Sequence, residues 1–164
     1  MGYNLSGLEI LIVEKHQFMR RLMGDVLNHL GVARQDRVGS LAEGLELFSK
    51  GQYDIILLDW APDLDALKFL TAVRDSENSA NPFIPVIVVT AFTEIHHVCT
   101  ARDAGMTEYL AKPISAKSLY ARIRAIIEHN RVFIKTRNFF GPDRRRKEKQ
   151  VDGRDRRMPS MSMM

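Results

Sequence analysis

Asp54-Ile55-Ile56-Leu57-Leu58-Asp59-Trp60 is an apolar run framed by two acids, and the reading of the whole chain turns on it. Its four central side chains leave no polar face, so a strand here is covered on both sides, as strands of parallel sheets are. Two runs of the same kind, Leu8–Val13 and Val86–Val89, lie before and after it. Weaker strands are expected at Arg34–Val38 and Thr107–Ala111. Between these runs the apolar spacing becomes helical. Phe18, Leu22, Val26, Leu27 and Leu30 recur on one face before Gly31, a natural helix stop. Ser40 heads a segment with Leu41, Leu45 and Phe48 that breaks at Gly51. Leu64, Leu67, Leu70 and Val73 form a third stripe, and Val98, Ala101 and Ala104 a fourth that ends at Gly105. Ser115 heads a fifth, with Leu119, Ile123, Ile126 and Ile127. Five strands alternating with five helices predict an α/β fold, a doubly wound five-stranded parallel sheet.

In such sheets functional groups gather at the carboxyl ends of the strands. Four polar residues stand there: Glu14, Asp59, Thr90 and Lys112. Each alone reads as a cap, a loop charge or a surface ion pair. Together they should face one crevice, and the set suits phosphoryl transfer to a carboxylate. Asp59 is the candidate nucleophile. Glu14 and nearby backbone carbonyls suit Mg²⁺, a hard cation that takes oxygen ligands. Lys112 and the Thr90 hydroxyl would meet phosphoryl oxygens.

The segments Ile12-Val13-Glu14-Lys15, Ile56-Leu57-Leu58-Asp59-Trp60, Val89-Thr90-Ala91 and Ala111-Lys112-Pro113 resemble the receiver domain of bacterial two-component response regulators. The likeness covers about residues 8–129 and is strongest to single-domain, chemotaxis-type receivers. It implies a flavodoxin-like fold and a histidine kinase or phosphotransfer protein that phosphorylates Asp59. It implies Mg²⁺ on Glu14, Asp59 and the Ala61 carbonyl, with Thr90 and Tyr109 as switch residues. It also implies a protein output target on the face of the fourth helix, fifth strand and fifth helix, and a cis Lys112–Pro113 peptide. Two features depart from the family. Lys15 stands where a second acid is usual, and an ammonium offers no acceptor and adds positive charge beside the metal. The loop Asp59–Ala66 is one residue shorter than usual, and Ala66 replaces a glycine. Lys15 either pairs with Asp59 and locks one conformation, or swings into solvent on its flexible stem and leaves weak phosphorylation.

Composition sets the outer bounds. The chain has 164 residues, 45% hydrophobic and 27% charged, enough for one ordinary core. Cys99 is the single cysteine, so neither a disulfide framework nor a Cys-based zinc site is expected. No apolar run is long enough for a membrane span, and no secretory signal is evident, so a cytoplasmic protein is expected. Met1-Gly2-Tyr3-Asn4-Leu5-Ser6 fits a myristoylation pattern, but the pattern is short and stands alone. His96 and His97 are neighbours on a helix, where side chains diverge, so a surface role is preferred to a metal site. No base-and-nucleophile pair appears outside the strand-end set, so an enzyme with a small-molecule substrate is not expected.

The net charge of +4 is unevenly spread. From Arg131 onward, eight Arg and three Lys face four acids, which leaves the preceding chain slightly acidic. Residues 8–129 are therefore read as the receiver and 130–164 as a basic tail, largely disordered when free. No periodic core remains for a DNA-binding output domain, so signalling by protein contact is expected. Phe133–Phe140 is apolar enough to pack back on the body. Beyond it, Asp143, Arg144, Arg145 and Arg146, then Arg154, Asp155, Arg156 and Arg157, form two imperfect copies of one unit. Arg pairs with guanine O6 and N7 and with phosphate, and Asp accepts from the opposite guanine edge. Cyclic di-GMP carries both groups. The tail is similar to the Arg-rich extensions of receivers that bind cyclic di-GMP and act on the flagellar motor or surface attachment. The alternative is an ordinary phosphotransfer receiver or phosphate sink whose tail binds polyanions without selectivity.

Overall fold

A computed structural model describes residues 2–61, 64–129, 133–135 and 140–142. The elements are β1 (Glu9–Val13), α1 (Gln17–His29), β2 (Arg34–Val38), α2 (Leu41–Lys50), β3 (Ile55–Asp59) and α3 (Leu64–Arg74). They continue with β4 (Val86–Thr90), α4 (Ile95–Asp103), β5 (Glu108–Ala111), α5 (Ala116–Glu128), β6 (Phe133–Lys135) and β7 (Phe140–Pro142). The first five strands form one parallel sheet in the order β2-β1-β3-β4-β5. β3 and β4 run one residue past their apolar stretches and take in Asp59 and Thr90. The backbone ladder extends that far whatever the side chain, since Asp59 pairs with Val89 and Thr90 with Ala111.

The strand pleat sorts the core into two layers. Leu11, Val13, Ile56, Leu58, Val86 and Val88 face Phe48 of α2, Phe69, Leu70 and Val73 of α3, and Ala101 of α4. Ile10, Ile12, Ile55, Leu57, Ile87 and Val89 face Met23 and Leu27 of α1 and Leu119, Ile123 and Ile126 of α5. The edge strand β2 carries Arg34, Gln35, Asp36 and Arg37, polar residues that suit an edge. Ser40 caps α2 by accepting from the Glu43 amide at 3.2 Å, and Ser115 and Ser118 cap α5 reciprocally. Gly31 and Gly105 take positive φ, 91° and 103°, where the sequence places helix ends.

Two apolar residues do not sit where helical spacing puts them. Phe18 is 79% exposed, because it lies in the first turn of α1, level with the strand-end loops and not with the sheet. Ile127, near the end of α5, is also exposed. In α3 the buried face is Ala66, Phe69, Leu70 and Val73, with Leu67 only partly covered. The inward Phe69 fits because α2 carries Gly44 opposite it: a Cβ there would lie 3.1 Å from the Phe69 ring and 2.9 Å from Val13.

β6 and β7 pair antiparallel, and the aromatic segment packs back on the body as its composition suggests. The rings of Phe133 and Phe140 meet Phe83 at 5.1 and 5.7 Å, and the Arg74 guanidinium lies over Phe133 at 5.1 Å. Among the described residues, no helix is long and apolar enough to cross a membrane.

Candidate functional site

Glu14, Asp59, Thr90 and Lys112 do meet at the carboxyl edge of the sheet. Glu14 follows β1, is fully buried, and is held in register by its backbone N–H, which donates to the Val38 carbonyl. Its Oε1 accepts from the His16 amide at 3.1 Å and its Oε2 from Lys112 Nζ at 3.1 Å. The same ammonium donates to Asp59 Oδ1 at 2.8 Å. One cation thus bridges two carboxylates delivered by different strands. Burial, and then the charge of Asp59, hold the Glu14 carboxyl above the usual carboxylate range. Burial opposes the Lys112 charge, yet hydrogen bonds and charges from Asp59 and Glu14 keep it above the ordinary lysine range. The Lys112–Pro113 peptide is cis.

Thr90 is buried, and its hydroxyl is already engaged. It donates to the Trp60 carbonyl at 2.6 Å and accepts from the Phe92 amide at 2.9 Å. Tyr109 reaches toward the same loop and donates to the Phe92 carbonyl at 2.9 Å. Both expected switch residues therefore fasten the segment between β4 and α4 at Phe92, Thr90 on its amide and Tyr109 on its carbonyl.

Lys15 lines a pocket of about 220 Å³ together with His16, Asp59, Ala61 and Ala66. Lys112, the residue after β5, contacts Asp59 Oδ1. The donors fit Mg²⁺ in kind: two carboxylates, one of them buried beside the charge of the other, and a carbonyl at Ala61. Mg²⁺ is commonly held by one or two carboxylates and keeps several waters. Lys15 at the same mouth makes that site electrostatically poorer than an all-acidic one.

Two supporting groups carry no mark in the sequence. The His16 amide holds Glu14, and Arg20 Nη1 donates to the Glu14 carbonyl at 2.9 Å. Arg20 passes over Gly39, where a Cβ would lie 2.6 Å from Nη1, so that glycine gives the guanidinium its path. The Arg20 contact does not follow from spacing, because it depends on how the β1–α1 turn meets the β2–α2 turn at Gly39.

His96 and His97 do not diverge as neighbours on a regular helix should. They stand in the first turn of α4 with ring centroids 4.0 Å apart. Their Nε2 atoms lie 3.5 and 3.7 Å from Glu94 Oε2. The tail residues Asp143, Arg144, Arg145, Arg146, Arg154, Asp155, Arg156 and Arg157 lie outside the described residues.

Comparison with known proteins shows what the chain as a whole is similar to. Residues 10–124 match the family model of the response regulator receiver domain. The chemotaxis protein CheY of Pseudomonas aeruginosa is 30% identical over 122 residues, which cover 74% of this chain and 97% of that protein. CheY-3 of Vibrio cholerae is 28% identical, over 75% of this chain and 94% of that one. Among solved structures, the receiver domain of a Pseudomonas aeruginosa sensor histidine kinase superposes with a TM-score of 0.66 at 29% identity. The match covers 75% of this chain and 99% of that one, whose active-site cleft coordinates a magnesium ion.

Proposed function

The chain belongs to the response regulator receiver domain family of two-component signalling, and from that membership we propose a stand-alone receiver whose phosphoacceptor is Asp59 and whose basic tail adds a second input. The observation that carries the first part is the Lys112 bridge between Asp59 and Glu14, at 2.8 and 3.1 Å. It presents a nucleophilic carboxylate with a cation already in place.

Lys112 holds Oδ1, which leaves the second Asp59 oxygen to attack phosphorus. The bond from phosphorus to the histidine nitrogen of the donor breaks as the acyl phosphate forms. Lys112 then neutralises a phosphoryl oxygen. Glu14, Asp59 and the Ala61 carbonyl would hold Mg²⁺, which supplies charge neutralisation at the phosphoryl oxygens. Thr90 must release the Trp60 carbonyl before its hydroxyl can bond the phosphoryl group. That exchange would loosen the β4–α4 segment to which Tyr109 is tied, and so alter the face of α4, β5 and α5 seen by a protein partner. Lys15 opposes the metal and slows the reaction. The kinase or phosphotransfer protein on the input side, and flagellar or attachment machinery on the output side, are the partners this reading implies.

Cyclic di-GMP captured by Arg144–Arg146 and Arg154–Arg157 is the second input. It is supported by the Arg and Asp mixture and by the strong charge surplus of that segment. Labelling from a small-molecule phosphodonor tests the first part. The full chain should gain one phosphoryl group in the presence of Mg²⁺, and Asp59→Asn should gain none. Equal labelling of Asp59→Asn would remove Asp59 from the reaction.

A further inference from the structure

We propose that Glu94, His96 and His97 form a site for a late first-row divalent cation, of which Zn²⁺ is the probe, at the start of α4. The site lies outside the Asp59 pocket and uses none of its residues.

Glu94 occupies the N-cap of α4, yet its side chain makes no capping bond. The backbone alone closes the turn, with the His97 and Val98 amides donating to the Glu94 carbonyl. The carboxylate turns instead to the two imidazoles. Their Nε2 atoms lie 3.5 and 3.7 Å from one oxygen, Oε2, and one ligand atom from each of the three residues lies within 4.8 Å of the others. Those separations exceed an ordinary N–H···O hydrogen bond, which peaks near about 2.9–3.0 Å. They match donors that share an ion: at about 2.1 Å from a tetrahedral Zn²⁺, two ligands stand about 3.4 Å apart. Two imidazole nitrogens and one carboxylate oxygen suit zinc, nickel or copper and not Mg²⁺. Three protein ligands on a largely exposed turn leave the remaining positions open to water or to a ligand from a partner.

The surroundings give the site a consequence. The His97 ring packs edge-on against Phe92 at 5.6 Å, and its side chain is only 17% exposed. The Phe92 carbonyl is the acceptor of the Tyr109 hydroxyl. An ion on His97 would therefore stiffen the segment that Thr90 and Tyr109 fasten, and bias the output face without touching Asp59.

Calorimetric titration of ZnCl₂ into the full chain, in a buffer free of chelators, decides the matter. One ion per chain with micromolar or tighter affinity is expected. His96→Gln combined with His97→Gln should weaken it at least tenfold, with an unchanged melting curve showing that the fold persists. Glu94→Gln, which keeps both imidazoles, should weaken it several-fold. Zn²⁺ should also slow amide exchange in the stretch 92–98. Absent saturable binding, equal affinity in the double variant, or protection centred on Glu14 and Asp59 would each overturn the site.

Discussion

Tyr53 shows what a single side chain contributes at the end of the sheet away from the site. It follows α2, is 8% exposed, and its hydroxyl donates a short hydrogen bond to the Asp36 carboxylate on the edge strand β2. Burial, and then that bond, push the phenol well above its ordinary range. A proton bound more tightly in the folded state stabilises it fully below the unfolded tyrosine value, about 10, and the benefit is lost as pH rises further. Tyr53→Phe should cost about 1.5–3 kcal/mol at neutral pH, from the lost bond to a charged acceptor. It should also flatten the decline in stability above pH of about 10, as read by urea unfolding across that range. The residues of the site were legible in the sequence because acids and a lysine closing apolar strands are conspicuous. What Lys112 does with two carboxylates at once was not, since it needs the register of β1, β3 and β5. Nor was the meeting of His96 and His97, which arises from the way Glu94 folds back over the first turn.

Among the elements, α3 and the β6–β7 pair are joined by one buried cation. Arg74 closes α3 and is 3% exposed, with its Nε on the Gly105 carbonyl at 2.8 Å and Nη1 on the Pro82 carbonyl at 3.0 Å. Nη2 reaches the Thr107 hydroxyl at 3.2 Å, while the outer face of the guanidinium meets Phe133. Gly105, at φ 103°, brings its carbonyl there; a Cβ on it would lie 3.0 Å from the Arg74 stem. Arg74→Met keeps the stem but takes the guanidinium donors from the buried Gly105 carbonyl and from the Pro82 carbonyl, and should cost about 3 kcal/mol. Denaturant unfolding measures that loss, and faster proteolysis between β6 and β7 should accompany it. In the sequence Arg74 looks like an ordinary basic residue ending a helix. Only the close approach of the α4–β5 turn turns it into a structural hub. The strands and caps were readable because hydrophobic runs and Ser–Gly punctuation are local. The inward face of α3 was not, since Phe69 depends on the absence of a side chain at Gly44.

At the scale of the whole molecule, the candidate site and the surplus of basic charge fall in two different regions of the chain. The Asp59 pocket occupies one end of the sheet, while β6 and β7 anchor the chain at Phe83, before β4, at the opposite end. The last described residue, Pro142, therefore lies at the end of the sheet away from Asp59. Titration of cyclic di-GMP into the full chain should show micromolar or tighter binding. Arg144→Ala with Arg145→Ala should abolish it, and GTP should not replace it. Equal binding of any polyanion, falling steeply with salt, would make the tail a general electrostatic arm.

The central claim concerns the other end: Asp59 is the phosphoacceptor, and Lys15 weakens its metal-assisted labelling. The rate of labelling from a small-molecule phosphodonor, followed across Mg²⁺ concentrations in the full chain and in Lys15→Asp, tests it most directly. The account predicts slow labelling of the natural chain, at least tenfold faster labelling of Lys15→Asp at low Mg²⁺, and none when Asp59→Asn is added. Identical rates and Mg²⁺ dependence with Lys15 and with the aspartate would contradict it.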